Sequence, residues 1–189
     1  MERLEAALEK ARQERKSVRP KEFSPKVHVA APHPVEERWA ALREAKLTTR
    51  WARRHRITTL SNNRDSAPYD LLRSRATRIM NENKWTRLAV TSPTKHCGKT
   101  TVSANLAFSL ARQQDLRIVV LDLDLRRPAM HKILGQTPEN SLHEVLSGDV
   151  PMEKSMVRFG HNLAFGLNKG PASNPSELLQ SKKGRARLD

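Results

Sequence analysis

The sequence predicts an α/β fold, a parallel sheet with flanking helices, and three observations carry that expectation. Arg117-Ile118-Val119-Val120-Leu121-Asp122 is an unbroken apolar run rather than an alternating one, the signature of a strand covered on both faces of a parallel sheet. Leu88-Ala89-Val90-Thr91 is a second short apolar run, and it leads through a loop, Ser92 to Gly98, into a helical stretch. That stretch, Lys99 to Ala111, places Val102, Leu106 and Leu110 on one face. Strand, helix and strand follow each other within about 35 residues, one βαβ unit with a right-handed crossover.

The loop between the first strand and the helix is the most informative segment. Gly98-Lys99-Thr100 sits where a buried strand passes into a helix, the context a phosphate-binding P-loop requires. Gly98 lets the backbone approach phosphate oxygens. The amides from His96 and Cys97 through Thr101 point at the helix N-terminus, where the dipole favours an anion. Lys99 can reach the β- and γ-phosphates of ATP, and the Thr100 hydroxyl can ligate Mg²⁺. The full motif opens with a glycine five residues before Gly98, and here that position is Pro93.

Asp122 and Asp124 leave the C-terminal end of the second strand in Leu121-Asp122-Leu123-Asp124-Leu125-Arg126-Arg127-Pro128. In a parallel sheet that end is the ligand edge. Either acid can hold Mg²⁺ or accept a proton from an attacking hydroxyl; the alternative is that one of them caps the following turn.

Elsewhere the chain is less specific. Residues 1–16 carry a thin helical stripe, Leu4, Leu8 and Ala11, and Pro20, Pro25, Pro32 and Pro34 punctuate an aperiodic linker. Glu36 to Leu47 reads as a helix with Trp39, Leu42 and Leu47 apolar, and Arg50 to Arg56 is a basic cluster around Trp51. Trp51 can stack on a base, though a tryptophan packed on a basic helix is the commoner arrangement. Tyr69 to Met80, with Tyr69, Leu72, Ile79 and Met80 apolar, reads as a helix packed on a neighbouring element. Short helices are expected near Ala129–Leu134 and Ser141–Leu146, a weak strand at Leu163–Leu167, and a helix from Pro175, capped by Asn174 or Ser173. The domain reading is a basic, partly disordered extension over residues 1–66 and a P-loop domain over 67–189.

The 189 residues carry a net charge of +15, are 37% hydrophobic and only 4% aromatic. Through Ser66 there are 16 Lys and Arg against 9 Asp and Glu, so the basicity is spread along the chain. It favours acidic partners. The single cysteine, Cys97, cannot form an internal disulfide, which suits a reducing compartment. It sits where a helix dipole favours a thiolate. No run approaches the roughly 18 apolar residues of a membrane span, and the N-terminus lacks the apolar core of a secretion signal. A cytoplasmic location is expected, at the inner face of the plasma membrane if a partner draws it there. His28, His33, His55, His143 and His161 lie at no metal-ligand spacing, and His131 reads as structural rather than catalytic.

Thr91-Ser92-Pro93, Gly98-Lys99-Thr100-Thr101, Asn105-Leu106-Ala107, the Asp122–Pro128 segment, Ser141-Leu142 to Gly148 and Asn174-Pro175-Ser176-Glu177-Leu178-Leu179 together resemble the bacterial protein-tyrosine kinases. These are the cytoplasmic ATPases that accompany capsule and exopolysaccharide chain-length regulators, and the resemblance covers about residues 67–181. It implies a P-loop fold, ATP and Mg²⁺, and transfer of phosphate to protein tyrosine. Lys99 and Thr100 take the Walker A roles, and Asp122 and Asp124 those of metal binding and activation of the tyrosine hydroxyl. A membrane-embedded chain-length regulator and a ring-like homo-oligomer are implied partners, and nucleic acid is not.

The chain departs from the family at three places. His96 stands where glycine is common. The assembly motif Glu-x-x-Arg-x-x-Arg falls on Ala67, Asp70 and Arg73, of which only the last agrees. The Walker B strand and a tyrosine-rich tail have no counterpart, Tyr69 being the one tyrosine. Without that strand an apolar face and a sheet edge are expected to stay uncovered, leaving the chain marginally stable or partner-dependent. Two other readings compete: a deviant-Walker positioning ATPase, which wants a lysine at Thr94 where this chain has Lys95 one residue on, and a non-catalytic interaction protein with a vestigial P-loop.

Overall fold

The computed structural model describes residues 34–61 and 64–188. The helix expected over 1–16 and the proline-punctuated linker lie outside the described residues, apart from Pro34. The compact unit spans His33–Asp189. Leu42, Ala45, Ala52 and Ile57 are all buried in its core, so the boundary expected at Ser66 falls inside this unit.

The first helix, α1 (Pro34–Ala40), starts on a proline and carries Glu36 and Glu37 in its first turn, both suited to a helix start. The sequence led us to expect helix as far as Leu47. Instead the chain turns after Ala40 and Arg43–Glu44 form a short strand, β1. Next comes α2 (Thr49–Arg54), capped by the Thr48 hydroxyl, which accepts the Trp51 amide at 3.3 Å. A 3-10 turn, Arg64–Ser66, leads into α3 (Ala67–Asn83), which has Pro68 in its first turn and left-handed Lys84 at its end. Behind Gly98, α4 (Lys99–Leu110) buries Ala104 through Ser109.

The sheet has four strands: β1, β2 (Ile118–Leu121), β3 (Met156–Phe159) and β4 (Leu163–Gly166). Their order is β1-β3-β4-β2. Two pairings are parallel, β1 with β3 and β2 with β4; β3 and β4 form an antiparallel hairpin. Its turn passes through Gly160, whose φ of 65° lies in the left-handed region. Between β2 and β3 come α5 (Met130–Leu134) and α6 (Leu142–Ser147); α7 (Pro175–Gln180) and α8 (Lys182–Leu188) close the unit. Ser141 and Glu144 form a capping box at the start of α6. At α7, Asn174 stands at the cap position but its side chain makes no capping bond, and Pro175 opens the helix.

Three apolar centres hold these elements, the smallest formed by Leu42, Met156 and Ala164 with Trp39 against them. Phe108, Phe159 and Phe165 meet with ring centroids 5.5 to 5.8 Å apart, so α4 is pressed onto the β3–β4 hairpin, with Leu134 and Leu163 filling around them. Edge-on aromatic pairs of this kind contribute about 0.5–1.5 kcal/mol each beyond area burial. The second centre joins Leu142, Val145 and Leu146 of α6 to Leu125, with Leu178, Leu179 and Leu188 around them. Among the described residues no helix is long and apolar enough to cross a membrane.

The expectation for Leu88–Thr91 is overturned. The segment forms no strand, and its residues are exposed. A strand exists only through a paired neighbour, and β2, at the end of the sheet, pairs only with β4. The βαβ unit expected there is therefore incomplete. The burial expected of 118–121 on both faces also fails, since Val119 is 51% exposed. Likewise α3, expected to be packed, buries no residue and leaves Leu71, Leu72 and Ile79 exposed. Trp85, Leu88, Val90 and Leu123 add to the exposed large apolar side chains.

Such exposure weakens the unit and favours self-association. The isolated chain is expected to melt below about 50 °C, at the low end for mesophilic domains, and to bind a hydrophobic dye before it melts. A cooperative melt of a monomer well above that temperature, followed by circular dichroism, contradicts this reading.

Candidate nucleotide site

The loop from Ser92 enters α4 through two left-handed residues, His96 (φ 60°) and Gly98 (φ 82°). A Cβ at Gly98 would meet nothing within 4 Å. Conformation rather than crowding within the chain therefore demands glycine there, and the space over the helix start is open. His96 occupies a conformation that glycine adopts without penalty, and holding a histidine in it costs about 1 kcal/mol. Val102 donates to the Gly98 carbonyl at 2.8 Å, closing the first turn of α4. Thr100 and Thr101 stand half-buried in that turn. The Thr101 carbonyl accepts from Asn105 Nδ2 at 2.9 Å.

Cys97 is exposed and lies 2.8 Å from Thr94 Oγ1. Hydrogen bonding with Thr94 is the main reason its thiol is held below the ordinary value, with Lys99 assisting. Lys99 itself turns across the helix start toward the end of β2. Its Nζ lies 3.6 Å from Asp124 Oδ2, both side chains being half-buried. The other oxygen, Asp124 Oδ1, accepts the Arg127 amide at 3.1 Å.

Asp122 is engaged differently. It is 8% exposed, and its carboxylate accepts three main-chain amides: Met130 at 3.0 Å, Ala129 at 3.1 Å and Asp124 at 3.3 Å. It thus ties the end of β2 to the start of α5. Burial is the main influence on its acidity and raises its pKa, against the three amides that pull it down. Asn168 Nδ2 donates to the Asp122 carbonyl at 2.8 Å, fixing the same strand end from β4's side. Asn105, notable in sequence only as part of the family resemblance, binds the Arg56 carbonyl and the Thr58 amide through its carboxamide; Asn168 was not singled out from sequence, since a lone buried asparagine carries no pattern.

Of the sequence-derived site residues, Lys99 and Asp124 are brought together. Gly98, Thr100 and Thr101 line the same helix start, with His96 and Cys97 on the exposed rim. Among the described residues no three His, Cys, Asp or Glu side chains form a metal-holding group. Trp51 is packed: its Nε1 donates to the Ile133 carbonyl at 2.9 Å and its ring stacks on His55.

Residues 88–174 match the CobQ/CobB/MinD/ParA nucleotide binding domain. The tyrosine-protein kinase ptk of Acinetobacter johnsonii is 34% identical over 135 residues, 67% of this chain and 18% of that protein. Etk of Escherichia coli K12 is 35% identical over 103 residues, 54% of this chain and 14% of that one. The chain is related to the bacterial tyrosine-protein kinases. Solved structures agree. The kinase domain of E. coli ETK superposes with a TM-score of 0.59 at 26% identity, covering 85% of this chain and 68% of that one. The VpsO kinase domain gives 0.52 at 29%, covering 65% and 62%. The chain thus spans about a fifth or less of these two full-length relatives and about two thirds of the solved kinase domains.

The family's assembly-motif positions are engaged within the chain. Arg73 Nη1 donates to the Ser109 carbonyl at 2.9 Å. Asp70 accepts from Ser109 Oγ at 2.6 Å and pairs with Arg112, which clamps α3 to α4.

The two aspartates are separable by experiment. Asp122→Ala leaves three amides without an acceptor and is expected to lower stability by about 2–3 kcal/mol in urea melts. Asp124→Ala, breaking a half-exposed pair, is expected to cost under about 1 kcal/mol. The pH dependence has a definite sign. A carboxyl whose pKa rises on folding stabilises most below its ordinary value of 3.8 and loses that contribution as pH climbs through the raised value. The stability difference between wild type and the non-titrating Asp122→Asn is therefore expected to favour wild type most at low pH and to shrink as pH rises. Equal losses for the two alanine variants would contradict these assignments.

Proposed function

We propose that this chain binds ATP with Mg²⁺ and serves as the nucleotide-binding part of a protein-tyrosine kinase system in exopolysaccharide or capsule synthesis. The observation that supports it most is the Lys99–Asp124 pair, 3.6 Å apart across the start of α4, inside a domain whose relatives are tyrosine-protein kinases. The open space over Gly98 and the amides of the α4 start suit a phosphate chain. Lys99 would hold its terminal phosphates and Thr100 the metal, which would polarise the γ-phosphoryl group when bound.

Asp124 is the better candidate for contact with metal or substrate hydroxyl. Both Asp122 oxygens already accept main-chain amides, so Asp122 is proposed as the positioning residue that holds the turn. Lys99 pairs with Asp124 at 3.6 Å, and the phosphates of ATP would compete for it and leave Asp124 free for the metal. A membrane-embedded chain-length regulator is the proposed partner. Because Asp70 and Arg73 are spent on the α3–α4 clamp, any self-association would use other surfaces. The MinD and ParA members of the matching domain family keep a second reading in play, a nucleotide-gated positioning ATPase.

Calorimetric titration of ATP–Mg²⁺ into wild type and Lys99→Ala tests the site, with phosphotransfer to a tyrosine peptide followed on the same samples. Binding that Lys99→Ala weakens at least tenfold, together with labelling of the peptide, is expected. Binding without labelling favours the positioning ATPase. No binding by the wild type contradicts the proposal.

A further inference from the structure

A cluster of arginines lies on α2 and just beyond it. Arg50, Arg53 and Arg54 share one face of that helix, at helical spacing. Arg56 follows in the left-handed conformation, φ 57°. All four are exposed, and none forms an ion pair among the described residues, although seven ion pairs occur elsewhere. Arginines held without a carboxylate partner on a rigid surface are poised for an external oxyanion.

Arg53 and Arg56 also line a cleft of about 340 Å³. Leu60, 41% exposed, gives it an apolar surface above the buried Ala52 and Ile57, and Thr49 and Ser61 add hydroxyls. Asp65 is the single acid on the lining, against two arginines. The side of the cleft formed by α2 and residues 56–58 is fixed to the core. The Trp51 indole is bonded to α5, Ala52 and Ile57 are each 2% exposed, and the Asn105 carboxamide grips the Arg56 carbonyl at 2.9 Å and the Thr58 amide at 2.8 Å. A preformed cleft forfeits little entropy on binding.

A flat lipid surface does not use a recess of this size, and a nucleic-acid site stacks bases on free ring faces, whereas the Trp51 ring, though 38% exposed, already stacks on His55. An aryl ring carrying a phosphate matches both halves of the cleft. The ring lies on the apolar lining, and the phosphate takes paired guanidinium bonds. We propose that the Arg53–Arg56 cleft is a binding site for a phosphorylated tyrosine side chain presented on polypeptide. It would recognise the product of the phosphotransfer proposed above. The proposal rests on that reading for the source of its ligand, though not for the binding itself.

The test is fluorescence anisotropy at physiological salt, with one labelled acidic peptide carrying tyrosine, phosphotyrosine or phosphoserine. The proteins are wild type, Arg53→Ala, Arg53→Ala/Arg56→Asn and Lys99→Ala. Asparagine tolerates the left-handed position, and melting curves confirm that each variant is folded. The phosphotyrosine peptide is expected to bind at least tenfold tighter than the other two. Arg53→Ala is expected to weaken it severalfold, the double variant more than tenfold, and Lys99→Ala not at all. Equal affinity for the three peptides overturns the proposal. So does loss of binding in Lys99→Ala, which would place the phosphate in the nucleotide loop. Arginine-dependent binding to phosphatidylserine vesicles or to DNA that displaces the peptide also overturns it. Phosphopeptide binding without any phosphotransfer activity would remove the kinase reading and leave the cleft standing.

Discussion

The Asp122 carboxylate is the fixture on which the site depends. Strand β2 ends one residue before it, and the chain must turn there toward α5 without a glycine to ease the passage. Three amides, those of Asp124, Ala129 and Met130, converge on its two oxygens. This fixes the turn, and the turn places Asp124 where Lys99 can reach it. Burying a carboxyl is costly, and the raised pKa of Asp122, a weakened acidity, registers that cost. The amides offset it, and the turn is specified in return. Both charged groups of the candidate site are thereby set by main-chain structure: Lys99 by the left-handed entry at Gly98, Asp124 by the grip of Asp122.

Sequence made the residues of the candidate site legible because they follow a local pattern. Gly98-Lys99-Thr100 ahead of a helical stripe, and two acids at the end of an apolar run, are short-range signals, and the structure bears out helix α4 and strand β2. Non-local pairing was not legible. Leu88-Ala89-Val90-Thr91 has the composition of a strand, yet composition supplies no partner, and the segment remains unpaired and exposed. The reverse error occurred at Met156–Phe159, which carries arginine amid apolar residues and was not read as a strand; its pairing with β4 and β1 makes it one. The same holds for Arg43–Glu44, two charged residues that owe their strand geometry to β3.

The division of labour between the aspartates illustrates the same limit. In the sequence Asp122 and Asp124 are equivalent, two acids one residue apart. What distinguishes them is burial and the direction of the amides seven and eight residues on, and both follow from how α5 packs. Asp70 is a parallel case. It departs from the family's assembly motif and reads as a loss. In the fold it joins Ser109 and Arg112 in a clamp between α3 and α4, and Arg73 binds the Ser109 carbonyl beside it. A helix that buries no side chain is held instead by charge and hydrogen bonding. That hold is weaker than a packed face and screened by salt.

The central claim is that the Gly98 loop and the Asp122 turn form one nucleotide-responsive unit. Amide hydrogen exchange, followed by mass spectrometry with and without ATP–Mg²⁺, tests it directly. Peptides covering 93–101 and 122–130 are expected to gain protection together on nucleotide addition, while the α6–α8 region is unchanged. Protection confined to the first segment, or to neither, would show that the two elements do not share a ligand and would contradict the account.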